Sequence, residues 1–157
     1  MKIKLLSEGA KMPMRADEGA AGFDLFTPRN VVVKPGRSVI QLDIAMALDK
    51  GTEGNIRPRS GFSAKGIEGH EILPDGTFSE KPKRFDADVL EGTVDESYRG
   101  TVGVIINSHE TEPFGISIGT KIAQMVIERY VVPEMCVVDE LDDTERGIGG
   151  FGHTGAK

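Results

Sequence analysis

The stretch Asn30–Leu48 reads NVVVKPGRSVIQLDIAMAL. It holds a β-branched run, a Pro35-Gly36 turn and a second apolar run. β-Branched side chains suit a pleated sheet, and Pro-Gly between two such runs marks a turn. The signature recurs on both sides. KIKLL (Lys2–Leu6) and GFDLF (Gly22–Phe26) alternate, and TVGVIIN (Thr101–Asn107) and KIAQMVIERYVV (Lys121–Val132) come later. KIAQMVIERY is long enough for a helix, but its β-branched content and its neighbours favour a strand. EILPDGTFSE (Glu71–Glu80) reads as a small hairpin around Pro74-Asp75-Gly76. Helix signals are scarce and no solenoid repeat is present. Many short strands with Gly and Pro between them predict an all-β sandwich or barrel.

The chain has 157 residues, enough for one domain with an ordinary core. Its 25 acids against 19 bases give a formal charge of -6. Such a chain lacks the basic face that nucleic acid needs, so no nucleic-acid partner is expected. A few converging Arg and Lys could still hold a small polyphosphate. Cys136 is the only cysteine, which rules out an internal disulfide and fits a reducing compartment. The apolar part of MKIKLLSEGA is too short for a signal peptide or a membrane span. The expectation is a soluble, intracellular, cytoplasmic protein with no membrane partner.

Two segments depart from the strand pattern. Lys65–Asp88 (KGIEGHEILPDGTFSEKPKRFDAD) is polar and rich in turn residues, and reads as an excursion from the barrel. From Asp139 the chain turns acidic (DELDDTER) and then Gly-rich. The expected organisation is a β-barrel over 1–140, with a polar insert at about 67–88, and a flexible tail over 141–157.

Four constellations carry chemistry. The tail RGIGGFGHTGAK (Arg146–Lys157) has five Gly and one aromatic, Phe151. A run so poor in apolar mass does not recover its ordering entropy by burial, so it is either a frayed terminus or a flap that orders on a ligand. Its GIGGFG fits Gly-x-Gly-x-x-Gly, but no helix has room to follow, so a dinucleotide fold is not expected. Bare N–H groups beside Arg146 suit phosphate instead. Pro58-Arg59-Ser60-Gly61 is an ordinary turn or a second phosphate contact. In EGTVDESYRGTVGV (Glu91–Val104), Asp95 is a solvated turn acid or a general base, and Tyr98 a packing residue or a ligand platform. In AAGFDLF (Ala20–Phe26), Asp24 alternates with Phe23 and Leu25 and either meets solvent or helps organise a cation.

The order AAGFDLF, PRSGFSAKG, GTVDESYRG, GTKIAQMVIE, RGIGGFGHTG spans Ala20 to Gly155 and resembles the five ordered motifs of the trimeric dUTPase family. The resemblance implies a distorted, jelly-roll-like β-barrel assembled as a homotrimer with shared active sites. It implies Mg²⁺-dependent hydrolysis of dUTP to dUMP and pyrophosphate, which lowers dUTP and supplies dUMP for thymidylate synthesis. In that likeness Asp95 assists water attack on the α-phosphate. Arg59, Ser60, Gly61 and Gln124 match phosphate contacts, and Arg146 matches the γ-phosphate arginine of the tail. Gly92, Thr93 and Val94 lie in the hairpin whose backbone reads uracil, and Tyr98 lies under the deoxyribose. Phe151 stacks on the base, with Gly152, His153 and Thr154 beside it in the closing tail. Asp24 matches the acid near the metal, reached through water. Thr120-Lys121 stands where Asp-Arg is usual. The longer stretch between the second and third motifs leaves room for an added partner at 65–88.

Two rivals share the scaffold. A dCTP deaminase would carry a catalytic Glu on the strand after the hairpin, and TVGVIINS (Thr101–Ser108) has no acid. A regulatory protein built on the same barrel has no need of Asp95, Tyr98, Arg146 and Phe151 together.

Overall fold

A computed structural model describes residues 1–149. In chain order its first strands are β1 (Lys2–Leu5), β2 (Met14–Arg15), β3 (Gly22–Phe26), β4 (Val31–Val33), β5 (Gly36–Ala47) and β6 (Thr52–Arg57). A short helix, α1 (Ser60–Lys65), follows. Then come β7 (Ile67–Glu71), β8 (Lys83–Phe85), β9 (Ala87–Leu90), β10 (Gly92–Val94), β11 (Thr101–Ser108), β12 (Phe114–Ile116) and β13 (Lys121–Arg129). The expected all-β class holds, and KIAQMVIERY is a strand.

The strands form three sheets, in the orders β1-β5-β11-β9, β10-β6-β13-β3-β2 and β4-β12-β7-β8. They enclose one apolar core and are not hydrogen-bonded into a single closed ring. Alternation explains much of this core. Along β11 every second residue is buried, so Val102, Val104 and Ile106 line the interior. Ile40, Leu42, Ile44 and Met46 of β5 do the same opposite them. The Pro35-Gly36 turn does not make a hairpin. It passes the chain between sheets, since β4 pairs with β12 while β5 pairs with β1 and β11.

The stretch at 67–88 is less of an excursion than its composition suggests. Its ends are β7 and β8, which pair with each other, and β7 also pairs with β12. Ile67, Phe85 and Ala87 sit in the core, at 2%, 6% and 4% exposure. A polar average hides these three anchors. Only the turn between the strands projects, and it too is tethered. Leu73 and Thr77 close the expected hairpin, and the Phe78 ring lies over Gly115, where any Cβ would sit 2.3 Å from it.

Candidate active site

Three adjacent strands set up the first part of the site. β3 pairs with β13 so that Asp24 faces Gln124, and β6 pairs with the other side of β13 so that Arg57 faces Gln124. Beyond Arg57 the chain turns at Pro58 into α1, whose Phe62 is buried and anchors it. The turn therefore delivers Arg59, Ser60 and Gly61 to the same place as Asp24 and Gln124. Together they line a cleft of about 510 Å³.

Asp24 is 6% exposed, and a carboxylate at that depth must be paired. Arg59 Nε lies 2.9 Å from Oδ1, and Lys121 Nζ lies 2.6 Å from Oδ2. The two cations keep 38% and 43% of their side-chain surface in solvent. Asp24 thus holds them from behind and leaves their outer faces open to an anion. Asp24 does not meet solvent, as one expectation had it, but sits in a double ion pair with two side-chain cations. Gln124 Nε2 donates to Pro58 O at 2.9 Å, which fixes the turn against β13. Gly22 leaves room for that amide, since a Cβ there would stand 2.3 Å from Gln124 Oε1. A neighbouring hollow of about 390 Å³ shares Arg59 and Gly61 and adds Lys65, Arg84 and Lys121. Sequence reading took Lys121 only as a departure and missed Arg57, Lys65 and Arg84.

The segment Gly92–Tyr98, expected as a hairpin, forms a second part, but its flanking strands do not pair. β10 pairs with β6 while β11 pairs with β5 and β9, so this turn too passes the chain between sheets. β10 is the edge of its sheet and pairs only with β6: Gly92 opposite Ile56, Thr93 opposite Asn55, Val94 opposite Gly54. Val94 is buried and pins the strand, while the other side of the backbone has no strand partner among the described residues. The turn that follows is braced by Glu96, Tyr98 and Arg99. Tyr98 donates its N–H to Asp95 O at 3.1 Å. Arg99 Nη1 donates to Glu96 O at 2.5 Å and to Tyr98 O at 2.7 Å. The Tyr98 hydroxyl donates to Thr101 O at 3.1 Å, and its ring lies so close over Gly100 that a Cβ there would be 2.3 Å from the hydroxyl. Glu96 accepts the Gly51 N–H at 2.5 Å. That bond, and then the Tyr130 hydroxyl, hold the Glu96 carboxyl below the usual range, while the Tyr130 phenol is pushed up by the same carboxylate. Asp95 itself is exposed.

The Asp95 turn does not reach the cleft within one chain. Gly92 stands opposite Ile56, beside Arg57, but the strand runs away from the cleft from there, with Val94 opposite Gly54 and Asp95 beyond it. Three strand residues alone span ~10 Å, and no residue of the Gly92–Tyr98 hairpin lines the cleft.

After β13 the described chain has no strand or helix. Val131, Val132, Met135 and Val137 are 83–101% exposed. Arg146 is exposed and donates from Nε to Gly149 O at 2.8 Å, within a local turn. Phe151, Gly152, His153 and Thr154 lie outside the described residues. Among the described residues no group of three or more His, Cys, Asp or Glu is placed to hold a metal ion.

Comparison with known proteins gives a consistent result. The dUTPase family model matches residues 8–75 and 79–155. A mitochondrial deoxyuridine 5'-triphosphate nucleotidohydrolase of Dictyostelium discoideum is 38% identical over 157 residues, covering 99% of this chain and 77% of that protein. A mutant dUTPase of Staphylococcus bacteriophage 80alpha, solved with dUpNHpp, superposes with a TM-score of 0.80 at 28% identity, covering 98% of this chain and 97% of that one. A mutant dUTPase of the S. aureus phage phi11, described with a structural Mg(II) ion, gives a TM-score of 0.72 at 26% identity, covering 90% of this chain and 98% of that one.

Proposed function

This chain belongs to the dUTPase family, and on that premise we propose that it hydrolyses dUTP to dUMP and pyrophosphate. The observation that carries the reading is the cleft that gathers Arg59, Ser60, Gly61 and Gln124 around a buried Asp24, with Lys121 paired to the same carboxylate from the adjoining hollow. Two cations with open outer faces, a hydroxyl and bare backbone suit a chain of phosphates. Holding the triphosphate in line and neutralising its developing charge is the larger part of phosphoryl-transfer catalysis. Asp95 takes the proton of the attacking water. The new P–O bond forms at the α-phosphorus, the bond to the β-phosphate oxygen breaks, and pyrophosphate leaves with that electron pair. The open edge of β10 at Gly92, Thr93 and Val94 offers backbone donors and acceptors to the uracil edge. Cytosine would leave mismatched polar groups there. Tyr98 supports the deoxyribose from below.

The separation of hairpin and cleft supports a site shared between chains, and so a homotrimer. The exposed Val131, Val132, Met135 and Val137 support it too, since a monomer leaves them uncovered. Arg146 and the tail with Phe151, Gly152, His153 and Thr154 complete the reading as a flap over 141–157 that closes on the nucleotide. The residues do not fit a protein-held metal, because both Asp24 oxygens already face cations. Mg²⁺ belongs in this proposal to the triphosphate, and meets Asp24 only through water. A cytoplasmic location, dUMP supply for thymidylate synthesis and a partner at 65–88 remain parts of the reading. No helix among the described residues is long and apolar enough to cross a membrane.

The test is to incubate the protein with dUTP, dCTP, dTTP and UTP plus Mg²⁺ and separate the products. dUTP alone should yield its monophosphate and pyrophosphate. Release of ammonia from dCTP, or no pyrophosphate from dUTP, overturns the reading.

A further inference from the structure

The turn that carries Asp95 is joined to a distant piece of the chain through the Glu96 carboxylate, which meets Gly51 and also the Tyr130 hydroxyl. Gly51 donates its N–H to Glu96 Oε2 at 2.5 Å and accepts the Tyr130 N–H on its own carbonyl at 3.2 Å. Gly51 can serve both because it sits in a left-handed turn, at φ +76°, where its N–H and C=O diverge. The turn is closed by Thr52, which donates from both N–H and hydroxyl to Asp49 O at 3.1 and 2.6 Å. Tyr130 is the first residue after β13, and so the root of the valine-rich arm that leads to Arg146. Glu96 is the only acid of the hairpin turn besides Asp95, and its carboxylate faces inward while Asp95 is exposed.

We propose that Glu96 is a positioning residue, which ties the base-reading hairpin through Gly51 to the root of the C-terminal arm, so that the two hold one geometry. This rests on the reading of Gly92–Tyr98 as the uracil hairpin. The consequence is direct. Arg99 braces the turn from within and Tyr98 ties it to the start of β11, and among the described residues Glu96 is the side chain that ties it to the Gly51 turn. Without it the turn still forms and Asp95 still faces solvent, yet its position relative to β6 and Tyr130 is free to drift. A drift of about 1 Å is enough to cost a large part of the rate and to blur a hydrogen-bond readout. The carboxylate matters as an acceptor, so a neutral acceptor of the same shape restores most of the effect.

The experiment compares Glu96→Ala and Glu96→Gln with the unaltered full chain. Amide hydrogen exchange is read at Gly51 and Tyr130, and kcat and KM are measured for dUTP and dCTP. In Glu96→Ala, exchange at both amides should quicken by about tenfold or more, the loss expected for one charge-assisted hydrogen bond. The preference for dUTP over dCTP should narrow by about tenfold, while Glu96→Gln stays within about threefold of the unaltered protein on each readout. Unchanged exchange at Gly51 in Glu96→Ala overturns the proposal, as does loosening at Gly51 that leaves Tyr130 protected. A narrowed preference that Gln does not restore also overturns it. If the unaltered protein fails to hydrolyse dUTP, the functional reading falls by itself, and the exchange data still decide the tie.

Discussion

Replacing Asp24 by Asn keeps the shape of the buried side chain and removes its charge. Two cations then face each other across a neutral amide. Breaking a buried pair costs about 3–5 kcal/mol when the orphaned charge stays buried. Here the orphans are Arg59 and Lys121, whose side chains are 38% and 43% exposed, so water takes up much of that loss. The net cost should be about 1–2 kcal/mol. For a chain of this size that lowers the melting temperature by about 2–8 °C. The effect on turnover should be much larger. Arg59 and Lys121 keep their charges but lose the anchor that aims them, and misplacement of such groups costs about 10²-fold. Calorimetry and pyrophosphate release on the same preparation measure both effects. Raising Mg²⁺ should not restore the rate, because the defect lies in the cations. A variant with wild-type melting and wild-type turnover would refute this account, and full rescue by Mg²⁺ would return Asp24 to a metal role.

Asp95→Asn should lose at least about 10² in turnover while still binding a non-hydrolysable dUTP analogue, as measured by calorimetric titration; near-normal turnover removes Asp95 as the base. Tyr98→Ala should narrow the kcat/KM gap between dUTP and UTP, and an unchanged gap means that another group excludes the 2′-hydroxyl. His109 lies 2.7 Å from Asp88, and chiefly that contact raises its pKa above the usual value. Its stabilisation is therefore complete below about pH 6.5 and is lost as pH rises through the folded-state value. His109→Gln should lower the melting temperature at pH 5.5 and leave it unchanged at pH 9; the reverse order would contradict the ion pair. Truncation before Arg146 should leave melting unchanged and abolish most activity, and full activity would dismiss the tail.

Local pattern explains which parts were legible from sequence. TVGVIINS read correctly because period-2 alternation is a property of the strand itself, whereas GFDLF is a strand whose Asp24, Leu25 and Phe26 are all buried, so its alternation did not carry through to burial. The region at 67–88 did not, since two three-to-five-residue strands with one or two apolar anchors each resemble a loop by composition. The grouping of Arg59, Ser60, Gly61 and Gln124 was legible only through motif order, which records the fold without computing it. The Lys121–Asp24 pair was not, because it depends on a register between strands about a hundred positions apart and on the shift between Lys121 and Ala123. The Glu96–Gly51 bond is of the same kind. It joins a turn to a turn 45 positions away, and neither carries a local sign of the other.

The pairing of β3 with β13 also sets a schedule for biosynthesis. Asp24 emerges from the ribosome roughly a hundred residues before Lys121 and Gln124. Until they arrive, the buried slot for Asp24 lacks a wall, one of its two cations and the amide that steadies the turn. A nascent or prematurely terminated chain therefore has no half-working version of this cleft. Such end-to-end pairing is slow to nucleate, because loop-closure entropy must be met before the contacts reward it. β3 waits for β13, the last strand among the described residues, and competence arrives in one step once β13 is made.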